Sequence, residues 1–263
     1  MKIILTKIKN FFINLYKYRF EAVKSYYRKI RFDLNKIKKN PKIFIIGANK
    51  TGTTTIRELF REMNFNVAPQ QDQENYFDEI IRKKHNFNQD QFDEKVKLYI
   101  DKYQVFQDQP FSIKNFYREI YKLYPNSFYI HLNREPNEWY KSLYKNLLRY
   151  TNTKDLKDLD LKKLKDNDYI RKGYLFDYVM NYFPENTSLE EANEKLKMKS
   201  FMILNFEKRN NKIREFFKNS KKFIEINVKD EKDNSKIVKL LNLKKNVLMP
   251  MPHKNKTIII SEV

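Results

Sequence analysis

The chain of 263 residues has no cysteine. That excludes a disulfide framework, thiolate catalysis and any zinc or iron–sulfur centre held by cysteine. Histidine is nearly as scarce. His85, His131 and His253 lie far apart in the sequence and form no HExxH-type pair, so no histidine-built metal site is expected. No stretch approaches the eighteen or so apolar residues of a membrane span. Acidic residues are in deficit: 33 against 54 Lys and Arg, a net charge of +21. Such a balance suits an anionic partner. However, Lys, Asn, Ile, Tyr and Phe also share A/T-rich codons, so the charge count alone decides nothing. Glycine carries more information. There are only 3, Gly47, Gly52 and Gly173, where average usage near 7% would give about eighteen. Two of the three stand five residues apart, and the chemistry is to be sought there.

With 41% hydrophobic and 15% aromatic residues, the chain can bury a core. Residues 1–40 read as a basic amphipathic helical arm. Ile4, Ile8, Phe11, Phe12 and Leu15 recur at helical spacing, and 12 Lys and Arg stand against Glu21 and Asp33. Such a helix suits either an anionic membrane surface or packing on a protein face. Residues 41–263 read as one domain. In it, 42–47, 65–68, 103–107, 127–133 and 223–228 read as strands. Segments 54–63, 116–124 and 201–218 read as helices, as do one opened by Pro136 with Trp139, Leu143 and Leu147 on its buried stripe, and a short one at 237–241. Residues 70–102 read as helical or irregular, and 151–200 as a charged, helical, variable insertion. Alternation of strand and helix predicts an α/β fold, a three-layer sandwich around a mainly parallel sheet.

The segment Gly47-Ala-Asn-Lys50-Thr51-Gly52-Thr53-Thr54 follows a strand and opens a helix. That is the setting of a phosphate-binding loop, whose glycines let backbone N–H groups turn inward at a helix N-terminus. The spacing matches GxxxxGK[ST] with one departure: Thr53 stands where nucleotide hydrolases carry lysine, and the lysine is displaced to position 50. A cradle for terminal nucleotide phosphates with magnesium is then poorly built. One 5′-phosphate held by backbone amides and threonine hydroxyls suits the loop better.

Lys50-Thr51-Gly52-Thr53-Thr54 resembles the 5′-phosphosulfate loop of sulfotransferases that use 3′-phosphoadenosine 5′-phosphosulfate (PAPS). The resemblance implies a P-loop-like sulfotransferase fold and no metal. By it, Thr51, Gly52, Thr53, Thr54 and the adjoining Thr55 hold the cofactor, and Lys50 stabilises the leaving phosphate oxygen. The family also places an arginine after a later strand and a serine eight residues on, for the 3′-phosphate. Arg134 and Ser142 have that spacing, and arginine suits bidentate phosphate binding. Tyr121 to Arg134 and the Met251-Pro-His-Lys-Asn-Lys-Thr257 element are similar to further parts of a bacterial branch. Arg171-Lys-Gly173 is reminiscent of a 3′-phosphate element in cytosolic members but lies too far from the C-terminus. A helix end closed by glycine is the expectation there.

Sulfonate transfer needs a base for the acceptor hydroxyl. Gly47, Asp108 and Arg134 each follow an expected strand, so all three can face one crevice beyond the strand ends. Asp108 is therefore the leading candidate, Glu74 the second and His131 the third. Asp108 also suits a turn or a helix cap. The expected partner is a hydroxyl-bearing acceptor, a carbohydrate by the branch resemblance, and not nucleic acid. The expected location is cytoplasmic, with peripheral contact at the inner membrane face through residues 1–40. The rivals are a P-loop kinase or nucleotide hydrolase, and a non-catalytic basic module for membrane or nucleic acid.

Overall fold

A computed structural model describes residues 41–82, 84–230 and 232–242. The basic arm of residues 1–40 and the element 251–257 lie outside the described residues. The sheet has four strands: β1 (Ile43–Ile45), β2 (Val105–Gln107), β3 (Phe128–Leu132) and β4 (Phe223–Ile226), in the order β2-β1-β3-β4. Every pairing is parallel, with Phe44 opposite Phe106 on one side and Tyr129 on the other. Ten helices accompany it among the described residues: α1 (Thr53–Glu62), α2 (Gln70–Arg82), α3 (Gln89–Ile100), α4 (Phe116–Leu123), α5 (Pro136–Thr151), α6 (Leu161–Asp166), α7 (Tyr174–Met180), α8 (Leu189–Leu196), α9 (Lys199–Phe217) and α10 (Asp233–Leu240).

Alternation along the buried strands sorts the core into two faces. Ile43, Ile45, Val105, Ile130 and Ile226 meet Ile56, Leu59 and Phe60 of α1 and Ile237 of α10. Phe44, Phe106 and Tyr129 point the other way, onto α3, α4 and α9. That second face is an aromatic stack, with Phe44 5.3 Å from Phe106 and 5.4 Å from Tyr129 between ring centroids. Helices on both faces of a parallel sheet make the three-layer α/β sandwich that the alternation predicts.

The structure refines three expectations. Residues 65–68 form only a single parallel bridge, Val67 to Val105, made by the bonds from the Val105 amide to the Asn66 carbonyl and from the Ala68 amide to the Val105 carbonyl. The polar stretch 70–102 resolves into α2 and α3, and α3 opens with a capping box in which Asn88 and Gln91 exchange side-chain and backbone bonds. Residues 151–200 are helical and contribute to the core. The sparse apolar residues of α6, α7 and α8 converge on Trp139, Leu143, Leu147 and Phe206 as a separate hydrophobic cluster, while the lysines that dominate the composition face outward.

The chain leaves β1 toward β2 and later returns to the opposite side of β1 with β3. A crevice at such a reversal of strand order, beyond the carboxyl ends, is where ligands bind in open α/β sheets. The β1 end at this crevice is the glycine-bearing loop.

Candidate functional site

The loop runs from Ile46 to Gly52, and its shape is imposed by close neighbours. A Cβ at Gly47 would stand 2.5 Å from the Leu132 Cβ, at the end of β3. At Gly52 the backbone is left-handed, with φ +112°, and a Cβ would meet Val228 at 2.3 Å. Lys50 also adopts positive φ, 69°, a strained conformation for a side-chain-bearing residue.

Three side chains tie down the loop carbonyls from outside. Arg209 donates to the Ile46 carbonyl at 2.9 Å, Trp139 to that of Asn49 at 3.1 Å, and Arg134 to that of Lys50 at 2.9 Å. With these carbonyls held, the N-terminus of α1 stays open. Gly52 offers no side-chain cap, and the first turn contains no acidic residue. Its uncapped amides and fractional positive charge form an anion-binding terminus.

The threonines divide their work. The Thr51 hydroxyl is turned inward onto the Ala48 carbonyl, and that of Thr53 donates to Asp108 at 3.4 Å. Thr54 and Thr55 are half-buried in the first turn. Lys50 is half-buried as well. Burial lowers its pKa, as do the nearby positive charges of Arg134 and Arg149, while Asp108 opposes them.

Asp108 ends β2 with positive φ, 68°, and is only 6% exposed. Its Oδ1 accepts from Asn49 Nδ2, from the Tyr174 hydroxyl at 3.0 Å and from the Gln109 amide at 3.0 Å. Its Oδ2 takes only the longer bonds, 3.4 Å from Thr53 and 3.2 Å from Gln70. Burial lifts its pKa above the usual range, against the pull of these donors and of Lys50. Glu74, on α2, is 2% exposed. Its Oε2 lies 3.4 Å from Arg171 Nε, while its Oε1 is buried without a hydrogen bond. Burial, and then the negative charge of Asp108, raises its pKa well above the ordinary value.

His131 does not share this crevice. It is fully buried on the α9 face of the sheet, with Nδ1 2.8 Å from Glu225 and Nε2 3.2 Å from Asn210. Strand alternation turns it away from the loop, so it serves the core. Arg171 is likewise structural: it pairs with Asp78 at 3.2 Å and Asp177 at 2.7 Å as well as Glu74. Gly173, expected to close a helix, instead opens α7, with φ 75° at its N-cap.

Arg134 stands between β3 and α5, where Glu135 caps the helix by accepting from the Asn137 and Glu138 amides. Its bond to the Lys50 carbonyl joins the second motif to the first. Ser142 lies two helical turns further along α5, half-buried. Among the described residues, no group of three or more potential ligands could hold a metal ion. No described helix is long and apolar enough to cross a membrane.

A family model described as a sulfotransferase domain matches residues 42–258. The chain belongs to the sulfotransferase family. No curated protein matches it. Membership makes the chain a transferase of sulfonate groups, and the match spans the whole sheet, the loop and both candidate carboxylates.

Sequence reasoning missed several residues that shape this sulfotransferase's site: Asn49 and Tyr174, which hold Asp108, and Trp139 and Arg209, which hold the loop. Arg209 alone left a sequence signal. It shares the buried helical stripe of Met202, Phe206, Ile213 and Phe217, where an arginine is out of place unless its guanidinium has buried acceptors.

Proposed function

We propose that the protein transfers sulfonate from PAPS to a hydroxyl acceptor by in-line displacement. The observation that carries this reading is the bond from Arg134 to the Lys50 carbonyl. It supports a reading in which one nucleotide carrying phosphates at both ends reaches both motifs. The acceptor oxygen attacks sulfur, and the bond from sulfur to the bridging phosphate oxygen breaks. The acceptor proton passes to a carboxylate, and the products are a sulfate ester and adenosine 3′,5′-bisphosphate. The open α1 terminus and the hydroxyls of Thr54 and Thr55 suit the 5′-phosphate. Lys50 meets charge growing on the leaving oxygen. No metal is needed.

Asp108 is the base in this reading, since it lies against both the loop and Thr53, and its Oδ2 is the less engaged oxygen. A carboxylate pKa raised by burial suits general-base work, and the rate should rise with pH through that raised value. Glu74 is the second reading, favoured by its unbonded Oε1. The substitutions Asp108→Asn and Glu74→Gln separate the two. The base's substitution should lower kcat by about 10²-fold or more and remove the acidic limb of the pH profile, whereas the other should keep that limb.

The acceptor in this reading is a carbohydrate. Tyr150 and Tyr169 stack at 3.6 Å, and Tyr169 abuts Tyr174, which holds Asp108. Flat aromatic faces beside the base suit the apolar face of a sugar ring.

The deciding experiment is a titration with adenosine 3′,5′-bisphosphate, followed by transfer of labelled sulfonate from PAPS to candidate glycans. Ligand at a hundred times its Kd should stabilise the fold by about 2.7 kcal/mol. No rise in melting temperature at millimolar ligand would remove PAPS as the donor. Magnesium-dependent binding of ATP instead would favour the kinase alternative. Lys50→Ala should abolish transfer with the fold intact.

A further inference from the structure

We infer that Lys229 completes the 3′-phosphate pocket, and that Glu138 occupies that pocket as an internal placeholder until the donor arrives. The inference rests on the proposed PAPS reading and extends it to two residues outside both phosphate motifs. Lys229 lies in the turn after β4, and the residue before it, Val228, packs directly against Gly52 of the loop. Lys229 Nζ bonds Glu138 Oε2, and the same oxygen lies 3.6 Å from Arg134 Nε. Two cations from different elements thus converge on one carboxylate.

That carboxylate bonds Lys229 directly but holds Arg134 only loosely. Arg134 Nε is buried yet makes no hydrogen bond, since 3.6 Å is too long for one. Glu138 is 44% exposed and Lys229 54%, and ion pairs of that exposure contribute little. A phosphate with two negative charges and more acceptor oxygens can displace a single carboxylate from such a pair. Arg134 stands just before the cap of α5, and Glu138 and Ser142 follow one turn apart on the helix, so a phosphate taking the carboxylate's place would sit toward Ser142.

The test measures binding of two probes, adenosine 3′,5′-bisphosphate and adenosine 5′-phosphate, by calorimetry at fixed ionic strength. Lys229→Ala should weaken the bisphosphate about tenfold and leave the 5′-phosphate unchanged within about twofold. Lys229→Arg should retain the discrimination. Glu138→Gln should tighten the bisphosphate about threefold, because it removes the competing charge. Melting temperatures of the free variants check that each remains folded. Equal weakening of both probes by Lys229→Ala, or of neither, would overturn the role of Lys229. Weaker bisphosphate binding in Glu138→Gln would overturn the placeholder. If the unaltered protein binds both probes alike, the 3′-phosphate is not recognised at all. That result defeats the donor reading before Lys229 is tested.

Discussion

Replacing Gly52 by alanine tests the loop at the point where sequence scarcity and geometry coincide. Two costs add. The backbone holds φ +112°, and an L side chain in left-handed territory costs about 1–2 kcal/mol. The new Cβ also meets Val228 Cγ2 at 2.3 Å and Cγ1 at 3.0 Å. Those atoms belong to a partly buried side chain, not to backbone, so Val228 can shift, and relieving an overpacked contact costs about 1–3 kcal/mol. Together they give about 3 kcal/mol. For a domain of this size each kcal/mol moves the midpoint by about 2–4 °C, so thermal unfolding by circular dichroism should show a fall of about 6–12 °C. The cycle with Val228→Ala separates the two costs. The steric part, about 1–3 kcal/mol, should return as coupling between the substitutions, while the backbone part should persist. Bisphosphate binding should weaken in both single and double variants containing alanine at 52, because the α1 terminus is displaced. An unchanged melting temperature in Gly52→Ala would refute the left-handed turn, and coupling near zero would refute the contact with Val228.

Other perturbations probe the supports of the site. Glu225 is pushed upward by partial burial, but bonds from His131 and Arg214 prevail and hold it at about 2. Its folded pKa is depressed, so its stabilisation is present above about pH 4.5 and is lost as pH falls toward 2. After discounting for solvent screening it amounts to about 2 kcal/mol, and urea unfolding of Glu225→Gln should lack that part of the acid slope. Arg209→Ala takes the side-chain donor from the Ile46 carbonyl, leaves the Ser112 carbonyl with Asn181 alone and opens a cavity, a loss of about 3–5 kcal/mol by denaturant titration. Arg209→Met fills the volume and should lose less. Tyr169→Ala should raise the acceptor KM severalfold and leave the bisphosphate Kd unchanged; a shift in Kd alone would remove Tyr169 from the acceptor side.

The parts legible in the sequence are those whose physics is local. A glycine pair in a glycine-poor chain, set between an apolar run and an amphipathic one, marks the loop because only that backbone can turn so tightly. Arg134 was legible from its position after a strand and before Pro136, where proline fixes the start of α5. Asp108 was legible only as a strand end, and nothing local showed that its carboxylate would be gripped by Asn49 and Tyr174. His131 shows the opposite failure. Its strand was readable, but its face was not, because β3 is buried on both sides and carries no polar alternation to set the register.

The packing of segment 151–200 is hidden in the sequence for a related reason. Composition averages over a helix, whereas burial selects one face. In Leu161-Lys-Lys-Leu-Lys-Asp166 the two leucines are buried and the lysines are not, so a lysine-rich hexamer still contributes to the core. The consequence reaches the site, because Tyr174 belongs to this segment and supplies one of the donors on Asp108. A region that looks dispensable by charge therefore positions the candidate base. Tyr174→Phe frees the buried carboxylate from that one partner and leaves the cluster in place, and the pKa of Asp108 should rise further as the donor is lost. The Tyr174→Phe variant should lose transfer at neutral pH while the glycine-bearing loop stays in place, because Trp139, Arg134 and Arg209 hold it from other helices and strand ends.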